Sequence, residues 1–370
     1  MNILFACGGT GGHINPAIAV AGFIKSKHPD AIINFIGNRT GMEATLIPEA
    51  GYNFYPIHVS GLERKLTLKN IKNNVVSLKR AVTSGFEAEK IIRQLNPDVV
   101  VGTGGFACGP VLRKAHKMGY KTATHEQNAY PGLTTKLLVK YVDAVMLAMP
   151  EAKQFLPERE YIVTGNPVRT SVLEANRDYA RQKLGLDNRP MILSFGGSLG
   201  AKAINDAIAD LIAWHWQSGK YYHFHGTGKG SFDYMNERLK EKKVDLTLCN
   251  QIRVSEYISD MDLCMAAADI VISRSGAITL SEIQAQGKAS ILIPSPNVAE
   301  NHQYHNAMTL KNKGAAIVIE EKDLTDGVIE EQVSSIIDSP EKLAKMGKAA
   351  YDGAYLDANK KIYETIISLL

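Results

Sequence analysis

The stretch Asn2–His13, with the sequence NILFACGGTGGH, combines an apolar run, a glycine-rich turn and the beginning of a helical pattern. An apolar run without polar alternation is typical of a strand that is buried on both faces of a parallel sheet. A second stretch of the same kind, MILSFGGSLGA, occupies Met191–Ala201. Two such strand–turn–helix starts, far apart in the chain, predict two α/β domains.

The length and the boundary signals also indicate two domains. A chain of 370 residues corresponds to about two domains at roughly 150 residues each. Short apolar runs alternate with amphipathic segments in both halves, so each domain is predicted to be Rossmann-like, with helices on both faces of a parallel sheet. Because the Asn166–Pro167 pair breaks helices, we place the first domain at residues 1–165 and the second at residues 166–352. The last helix, about Asp357–Leu370, could pack on either domain.

Composition and charge exclude several classes of protein. Hydrophobic residues make up 45% of the chain, which is too many for a disordered protein. The net charge of +4 is not that of a nucleic-acid-binding chain, so we expect no nucleic acid partner. Four scattered cysteines without a CxxC pair argue against a disulfide scaffold or a cysteine-rich zinc site. We recognise neither an apolar run long enough to span a membrane nor a signal peptide, and a reducing cytoplasm fits best.

Glycine-rich turns follow three predicted strands, the third turn being Gly102–Pro110 after Val99–Val101. Glycine lets a backbone approach a ligand closely, and a helix start offers free N–H groups and a partial positive charge. Any α/β protein needs tight turns, but three such turns at the carboxyl ends of strands favour phosphate binding. For the first helix we expect Asn15 as the N-cap and Pro16 as the first helical residue.

The dinucleotide-binding fingerprint G-x-G-x-x-G is absent from the first turn. Counted from Gly9, its last glycine position is occupied by Ile14. An acidic residue, Asp30, follows the turn, but helices often carry an acid at such a position. An NAD-dependent dehydrogenase is therefore a weak alternative, and a Walker lysine motif is also missing.

Six short motifs occur in a fixed order along the chain. They are Gly8–His13, Gly104–Phe106, His125–Asn128, Gly165–Arg169, Gly196–Ala201 and Arg274–Ala277. Each motif alone is weak, but the six in order resemble the MurG family, a group of bacterial glycosyltransferases with the glycosyltransferase-B fold. The resemblance extends from the first strand to about Gly314.

The resemblance implies a fold and an activity. Family members have two Rossmann-like domains that face each other across a cleft, and residues 353–370 would cross back to the first domain. The implied activity is inverting transfer of N-acetylglucosamine from UDP-N-acetylglucosamine to the C4 hydroxyl of the muramyl sugar of lipid I, which forms lipid II in peptidoglycan synthesis. The first domain would receive lipid I and the second would hold the UDP-sugar. No cofactor is implied.

Donor-binding residues follow from the same resemblance. They are Thr10, Gly11, Gly12, Asn128, Arg169, Ser198, Ile258, Ala277, Ile278, Thr279, Leu280, Ser281, Glu282 and Gln303. Among them, Ser198 matches a residue at the diphosphate, and Arg169 matches a cationic residue of the segment between the domains. Glu282 would accept hydrogen bonds from the ribose hydroxyls. The backbone of Ile258 would contact uracil, and Gln303 would contact the sugar hydroxyls.

The catalytic base has two candidates, His13 and Glu126. An imidazole titrates near neutrality and can accept the proton of the attacking hydroxyl, so we favour His13. Its rival role is a hydrogen bond to the acceptor diphosphate. Gly105 and Phe106 complete the acceptor-binding residues that the resemblance implies.

A metal ion is not expected in the site. The segment Asp260–Asp262 matches the Asp-x-Asp pattern that holds a metal in many glycosyltransferases. Acids also suit the N-terminus of a helix, however, and we expect a helix at Asp262–Ala268. Without a metal, helix N-termini and loop N–H groups must stabilise the charge on the departing UDP.

The chain departs from the family pattern at three positions. Gly226 replaces a glutamine before the Thr-Gly-Lys-Gly segment, so any contact from that side chain is lost. Phe106 stands where some members have tyrosine. His302 replaces the first glutamine of the family's Asp-Arg-Gln-Gln segment, so the donor-sugar contact of that glutamine is not carried over.

The segment Arg64–Arg80 has six basic residues and no acid. On a helix its apolar residues would form one stripe flanked by lysines, a pattern that suits an anionic membrane surface. The predicted membrane residues are Lys65, Lys69, Ile71, Lys72, Val75, Leu78 and Lys79. An ordinary amphipathic helix packed on its own sheet would have the same pattern. The resemblance favours the membrane, because the family's acceptor is lipid-linked, and it implies a peripheral protein at the cytoplasmic face of the bacterial cell membrane.

Several other functions fit parts of the sequence. Another glycosyltransferase-B protein, such as a diacylglycerol glycosyltransferase or a UDP-N-acetylglucosamine epimerase, would share the donor half, but Gly11–His13 and His125–Asn128 favour the muramyl acceptor. A catalytically silent sugar-nucleotide-binding protein is disfavoured because the acid, serine and glycine residues are intact. Contacts with other cell-wall synthesis proteins are a further expectation.

Overall fold

The computed structural model describes residues 1–59 and 83–370 and divides into two compact units. Unit 1 contains Met1–Pro167 together with Tyr355–Leu370, and unit 2 contains Val168–Ala354. The predicted membrane segment, Lys65–Lys79, lies outside the described residues. Within the described ranges, no helix is long and apolar enough to cross a membrane.

Unit 1 is a parallel sheet with helices between its strands. Its strands are β1 (Asn2–Ala6), β2 (Ile32–Asn38), β3 (Asn53–Ile57), β4 (Val99–Gly102), β5 (Lys121–Glu126), β6 (Ala144–Leu147) and β7 (Ile162–Val163). Its helices are α1 (Gly11–Lys27), α2 (Glu43–Glu49), α3 (83–95), α4 (Cys108–Lys117), α5 (Leu133–Leu138) and α15 (Ala358–Ile367). The strand order is β3-β2-β1-β4-β5-β6-β7, and neighbouring strands run parallel.

The first strand shows why this sheet is covered on both faces. Successive side chains of a strand point to opposite faces. Ile3 and Phe5 belong to one apolar cluster, Leu4 and Ala6 belong to another, and all four are fully buried. The uninterrupted apolar run at the start of the chain therefore supplies the core on both sides of the sheet.

Unit 2 repeats this arrangement with six strands. They are β8 (Met191–Phe195), β9 (Tyr222–Gly226), β10 (Ile252–Ser255), β11 (Ile270–Ser273), β12 (Ala289–Leu292) and β13 (Ala316–Val318). The helices are α6 (Thr170–Leu173), α7 (Arg177–Leu184), α8 (Lys202–His215), α9 (Phe232–Glu241), α10 (Met261–Ala267), α11 (Ala277–Ala285), α12 (His302–Asn312), α13 (Val328–Ile337) and α14 (Pro340–Asp352). The strand order is β10-β9-β8-β11-β12-β13, again parallel. The prediction of two α/β domains with parallel sheets is confirmed.

The C-terminal helix α15 packs in unit 1, against α1, as the resemblance implied. The hydroxyl of Tyr363 lies 2.7 Å from Nε2 of His28 at the end of α1. The Tyr363 ring also meets the ring of Phe23 edge-on, with 5.8 Å between centroids. The apolar side of α15 joins the same core through Ile362 and Ile366.

The predicted start of α1 is wrong. The helix begins at Gly11 with Thr10 as its N-cap, and the carbonyl of Thr10 accepts the N–H groups of His13 and Ile14. Pro16 lies inside the helix, where it removes only the one backbone bond that it would have donated. A proline marks the neighbourhood of a helix start but does not fix the first residue, so the glycine turn continues directly into the helix.

Candidate functional site

In both units the strand order reverses at a central pair of strands, β1 and β4 in unit 1 and β8 and β11 in unit 2. Open α/β sheets bind ligands beyond the carboxyl ends of the strands at such a point. The three glycine turns predicted from the sequence follow β1, β4 and β8, and the turn with Ser275 and Gly276 follows β11. The fold therefore places one glycine-lined candidate site on each unit.

The two glycine turns of unit 1 are in direct contact. A Cβ atom on Gly105 would lie 2.1 Å from the carbonyl oxygen of Gly8, and Gly105 has φ +88°. Both the close approach and the left-handed backbone exclude a side chain. The predicted acceptor residue Gly105 is thus required for the turn itself, while the neighbouring Phe106 is exposed.

The imidazole of His13 lies over these turns in the first turn of α1. Its Nδ1 atom is 3.1 Å from the carbonyl oxygen of Gly8 and 3.3 Å from the hydroxyl of Thr10. A carbonyl can only accept, so Nδ1 carries the proton and Nε2 keeps a lone pair. A Cβ atom on Gly104 would lie 2.5 Å from the His13 ring, and Thr103 donates to the His13 carbonyl at 2.7 Å. The second turn thereby makes room for the ring and holds its backbone.

The predicted donor residues Thr10, Gly11 and Gly12 form the N-cap and the first two residues of α1. The first N–H groups of a helix have no acceptor within the helix. Those of Gly11 and Gly12 are therefore suited to an anionic group, and neither residue has a side chain that would block it.

The second base candidate, Glu126, is buried and surrounded by donors. Its Oε1 accepts from the backbone N–H and the side-chain amide of Asn128, at 3.1 and 3.0 Å. Its Oε2 accepts from the N–H of Gly132 at 3.0 Å and from the hydroxyl of Thr135 at 2.5 Å. This geometry fits a carboxylate that holds the loop before α5, and it ties the predicted donor residue Asn128 to the same loop.

The neighbouring His125 and Gln127 hold the last segment of unit 1. His125 is buried, and burial lowers its pKa. The side-chain amide of Gln127 donates to Nδ1 of His125 at 3.0 Å, so Nε2 donates to the carbonyl of Gly165, also at 3.0 Å. Asn166 donates to the backbone carbonyl of Gln127 at 3.2 Å. The motif His125–Asn128, which favoured the muramyl acceptor in the sequence, therefore also holds the last segment of unit 1 in place.

Glu43 is a residue of this site that the sequence did not reveal. It is fully buried and accepts the N–H of Gly9 at 3.1 Å and the N–H of Asn38 at 2.9 Å. A Cβ atom on any of three glycines would come within 2.8 Å of its side chain: Gly8, Gly37 and Gly41. The available signal was a glutamate placed shortly after two glycines, Gly37 near the end of β2 and Gly41 just after it. Its target, the first glycine turn, is distant in sequence and is brought near only by the fold.

In unit 2 the predicted diphosphate residue Ser198 lies exposed on the turn between β8 and α8. Its carbonyl accepts the N–H of Lys229 at 3.0 Å, from the loop that follows β9. The same loop interlocks with the turn, because a Cβ atom on Gly228 would lie 2.0 Å from the backbone nitrogen of Gly200. The Ser198 turn is therefore held by a second loop. Gly226, the departure from the family pattern, lies next to the side chain of Ile258.

Two other predicted donor residues, Arg169 and Glu282, form an ion pair in unit 2. The Nε of Arg169 donates to Oε1 of Glu282 at 3.0 Å. Glu282 is 8% exposed. Burial raises its pKa, Arg169 opposes that shift, and Asp262 adds to it. The sequence named both residues but did not indicate that they contact each other.

The remaining predicted donor residues of α11 follow its N-cap, Gly276. The N–H of Leu280 donates to the Gly276 carbonyl at 3.0 Å, and the Ser281 hydroxyl donates to the Ala277 carbonyl at 3.1 Å. The side chain of Leu280 is fully buried, so a ligand contact from this side chain is ruled out by packing. Ala277 is also buried, whereas Ile278 and Thr279 are partly exposed.

Ile258 and Gln303 follow β10 and β12, two strands of the same sheet that are separated by three others. Ile258 follows β10, and its side chain is buried, which leaves its backbone as the group for a ligand. The side-chain oxygen of Gln303 accepts the N–H of Ser295 at 2.9 Å, so its amide nitrogen is oriented away as a donor. Just before α12, Glu300 and Asn301 both have positive φ, at 54° and 50°. Such backbone strain is common at ligand-binding sites.

The Asp-x-Asp letters belong to the start of α10. Asp260 is its N-cap residue and accepts from Arg253 at 3.3 Å, while Asp262 accepts the N–H of Leu263 at 3.0 Å. The helix begins at Met261, one residue before the predicted start. Within residues 1–59 and 83–370, no group of three or more His, Cys, Asp or Glu side chains is arranged to hold a metal ion.

Comparisons with known proteins agree with this architecture. The model of the glycosyltransferase family 28 N-terminal domain matches residues 3–147, and that of the family 28 C-terminal domain matches residues 191–365. A solved structure of MurG from Acinetobacter baumannii superposes with a TM-score of 0.79 at 26% identity and covers 99% of both chains. A UDP-N-acetylglucosamine 2-epimerase from Neisseria meningitidis, with a TM-score of 0.64 at 15% identity, shares the fold.

Relatives match over the full length. The UDP-N-acetylglucosamine–N-acetylmuramyl-(pentapeptide) pyrophosphoryl-undecaprenol N-acetylglucosamine transferase of Acetivibrio thermocellus is 41% identical over 100% of this chain and 98% of its own. The transferase of the same name from Ruminiclostridium cellulolyticum is 40% identical over 100% of both chains. The chain therefore belongs to the MurG group of glycosyltransferase family 28.

Proposed function

We propose that the protein transfers N-acetylglucosamine from UDP-N-acetylglucosamine to the C4 hydroxyl of the muramyl sugar of lipid I, with inversion, and so forms lipid II. The observation that carries this proposal is the full-length likeness, at 40–41% identity, to transferases of that name. The Ser198 turn and the Arg169–Glu282 pair on unit 2, and the His13 turn on unit 1, provide groups suited to this chemistry.

The reaction breaks the bond between the anomeric carbon and the UDP oxygen and forms a bond from that carbon to the C4 oxygen. UDP leaves with an additional negative charge, and the attacking hydroxyl must lose its proton. The protein therefore needs preorganised donors at the diphosphate and a base at the hydroxyl. Inversion follows because attack comes from the face opposite the leaving group.

Unit 2 supplies the donors for UDP. The Ser198 turn leads into α8 and the Gly276 turn leads into α11, so two helix N-termini offer N–H groups and partial positive charge. Glu282, in the second turn of α11, would accept the ribose hydroxyls. Because burial disfavours its ionised form, the contact with Arg169 has a function here: it maintains the carboxylate that binds hydroxyl groups.

Unit 1 supplies the base. His13 has Nδ1 committed to the Gly8 carbonyl, which leaves Nε2 to accept the proton of the C4 hydroxyl. Glu126 has both oxygens committed to donors of its own loop, so we assign it a positioning role. The N–H groups of Gly11 and Gly12 would contact the diphosphate of the acceptor or the donor.

Described residues of unit 1 also support peripheral membrane binding. Leu133 and Leu137 are four residues apart on α5 and are 55% and 58% exposed, and Phe86 on α3 is exposed as well. Exposed basic residues Arg113 and Lys117 on α4, which packs against α5, lie in the same region of the unit. Apolar side chains beside cations are the pattern expected for contact with anionic lipid.

Turnover tests the proposed reaction directly. The purified protein should convert UDP-N-acetylglucosamine and a lipid I analogue to UDP and a lipid II analogue, measured by coupled UDP release and by mass of the product. The rate should be unchanged by EDTA, because both acids of the Asp-x-Asp segment have protein partners. Loss of activity with EDTA that Mg²⁺ restores would instead assign a metal role to Asp260 and Asp262.

Replacement of His13 tests the base. His13→Ala should lower kcat by about 10²–10⁴-fold, the usual effect of removing a general base, while the Kd for UDP remains that of the wild type. Glu126→Gln is the matched comparison and should mainly lower Tm, because an amide nitrogen cannot accept from the loop donors. Near-normal turnover by His13→Ala, or a large loss of kcat in a fully stable Glu126→Gln protein, would reverse the assignment.

Replacement of Glu282 tests ribose recognition. Glu282→Gln should raise the Kd for UDP by about tenfold to hundredfold, the value of hydrogen bonds to a charged group. UDP without the 2′ and 3′ hydroxyls should bind both proteins equally. Since burial raises the pKa of Glu282, wild-type affinity relative to the variant should fall as pH decreases through that titration. A variant that binds UDP like the wild type in calorimetry contradicts the role.

Vesicle flotation tests the membrane surface. Wild-type protein should float with vesicles that contain phosphatidylglycerol and not with phosphatidylcholine alone, and high salt should weaken binding through screening. The double variant L133S/L137S should bind less. Leu248→Ser, at a leucine of unit 2 that is 75% exposed, is the control and should float normally. Equal flotation of the double variant would exclude α5 from the contact.

A further inference from the structure

A row of polar side chains lies buried in unit 2 between α8, β8 and β9. All of its members are 2% exposed or less. They are His215, His223, Ser194, His225 and Asn205. None of the proposed donor contacts includes them, yet a buried polar group is retained at a cost unless it is hydrogen-bonded.

One end of the row defines the direction of its hydrogen bonds. The side-chain nitrogen of Asn205 lies 3.1 Å from the carbonyl of Thr227, which can only accept. The side-chain oxygen of Asn205 therefore faces Nε2 of His225, at 3.2 Å, and this nitrogen must carry a proton. Nδ1 of His225 then accepts the hydroxyl of Ser194 at 2.8 Å.

The same direction continues to the other end. Nε2 of His223 donates to the Ser194 oxygen at 2.8 Å, and Nε2 of His215 donates to Nδ1 of His223 at 3.0 Å. Nδ1 of His215 is then an acceptor, and it is buried without a partner among the described residues. With these directions every donor in the row has an acceptor. The Ser194 carbonyl, at 3.2 Å from Nδ1 of His225, is a longer contact than the 2.8 Å bond from the Ser194 hydroxyl, and it receives no proton in this arrangement.

The three histidines are neutral in this arrangement. Burial lowers the pKa of His215 and of His225 to about 4, and it lowers that of His223 well below its usual value. Charge attraction is therefore not the function of the row. What the row provides is a set of directed hydrogen bonds in a region of low dielectric, where such bonds are strong.

The row ends at the loop that holds the Ser198 turn. The Thr227 carbonyl, which Asn205 binds, would lie 2.3 Å from a Cβ atom on Gly200. Two residues further, the N–H of Lys229 donates to the carbonyl of Ser198. The position of Thr227 is thus coupled to the Ser198 turn through a contact and a hydrogen bond.

We propose that Asn205 is a positioning residue for UDP binding, and that the histidine row holds its amide in the one orientation that binds the Thr227 carbonyl. This inference rests on the proposed role of the Ser198 turn as the diphosphate site. With the amide reversed, the Asn205 oxygen would oppose the Thr227 carbonyl, and the loop would move away from Gly200. The row prevents this reversal, because Nε2 of His225 is a donor and rejects an amide nitrogen.

Two variants of Asn205 separate a directed hydrogen bond from simple packing. Asn205→Leu removes the bond and keeps the volume, so the Kd for UDP should rise by about tenfold at every pH. Asn205→Asp can replace the amide only when its carboxyl is neutral, since the acid can then donate to Thr227 and accept from His225. The UDP affinity of N205D, relative to the wild type, should therefore fall as pH rises. In the wild type the Thr227 carbonyl does not titrate and burial keeps His225 neutral, so a trend seen in N205D relative to the wild type reports the carboxyl introduced beside His225.

Calorimetry with UDP gives both the result and its controls. Asn236→Asp, at an exposed asparagine of α9, should bind like the wild type at each pH. Ser194→Ala, which breaks the row at its centre, should weaken UDP binding with Asn205 intact.

If N205L is folded and binds UDP normally, the inference is wrong. If N205L does not fold, the test is the ratio of the UDP affinity of N205D to that of the wild type. A ratio that does not change with pH overturns the inference. Absence of UDP binding by the wild type would instead reject the proposed function.

Discussion

Close contact between glycine backbones determines the architecture of both candidate sites. In unit 1, a Cβ atom on Gly105 would lie 2.1 Å from the Gly8 carbonyl, and in unit 2 a Cβ atom on Gly228 would lie 2.0 Å from the Gly200 nitrogen. In unit 1 the contact joins the turns after β1 and β4, where the strand order reverses, and in unit 2 it joins the turn after β8 to the loop after β9. Both contacts leave no room for a side chain at these positions. Backbone N–H groups can then face a ligand with no side chain between, which a diphosphate requires.

Such contacts must be stabilised by other groups of the protein, because glycine turns have many alternative conformations. Each unit supplies that support with buried polar side chains that bind the backbone of a turn. Glu43 accepts from Gly9 in unit 1, and Asn205 donates to Thr227 in unit 2. The chemical solutions differ, one an acid and one an amide fixed by histidines. Both use the same principle: a buried polar group that must be satisfied allows only one arrangement of the loop.

Sequence patterns predicted the parts of this structure that are local. Strands such as Asn2–Ala6 and the glycine turns after them were recognisable because buried parallel strands are continuous apolar runs. The first residue of α1 was missed because Pro16 was given too much weight. Glu43 and Asn205 were missed for a different reason, since their partners lie 34 and 22 residues away and only the fold brings them together. The resemblance named Glu282 and Arg169, but their ion pair and the burial of Leu280 depend on the three-dimensional fold.

The hydrogen-bond partners of the two candidate bases distinguish between them, which the sequence does not. His13 and Glu126 are both ionisable residues of motifs beside strands of unit 1, so the sequence left both open. A carboxylate with four donors from the following loop and the start of α5 must break internal bonds before it can take a proton. An imidazole with one nitrogen on a carbonyl has a lone pair available at the other, and its ring orientation is already fixed. The distinction depends on which acceptor sites the protein itself fills, and this is why His13 is the better base.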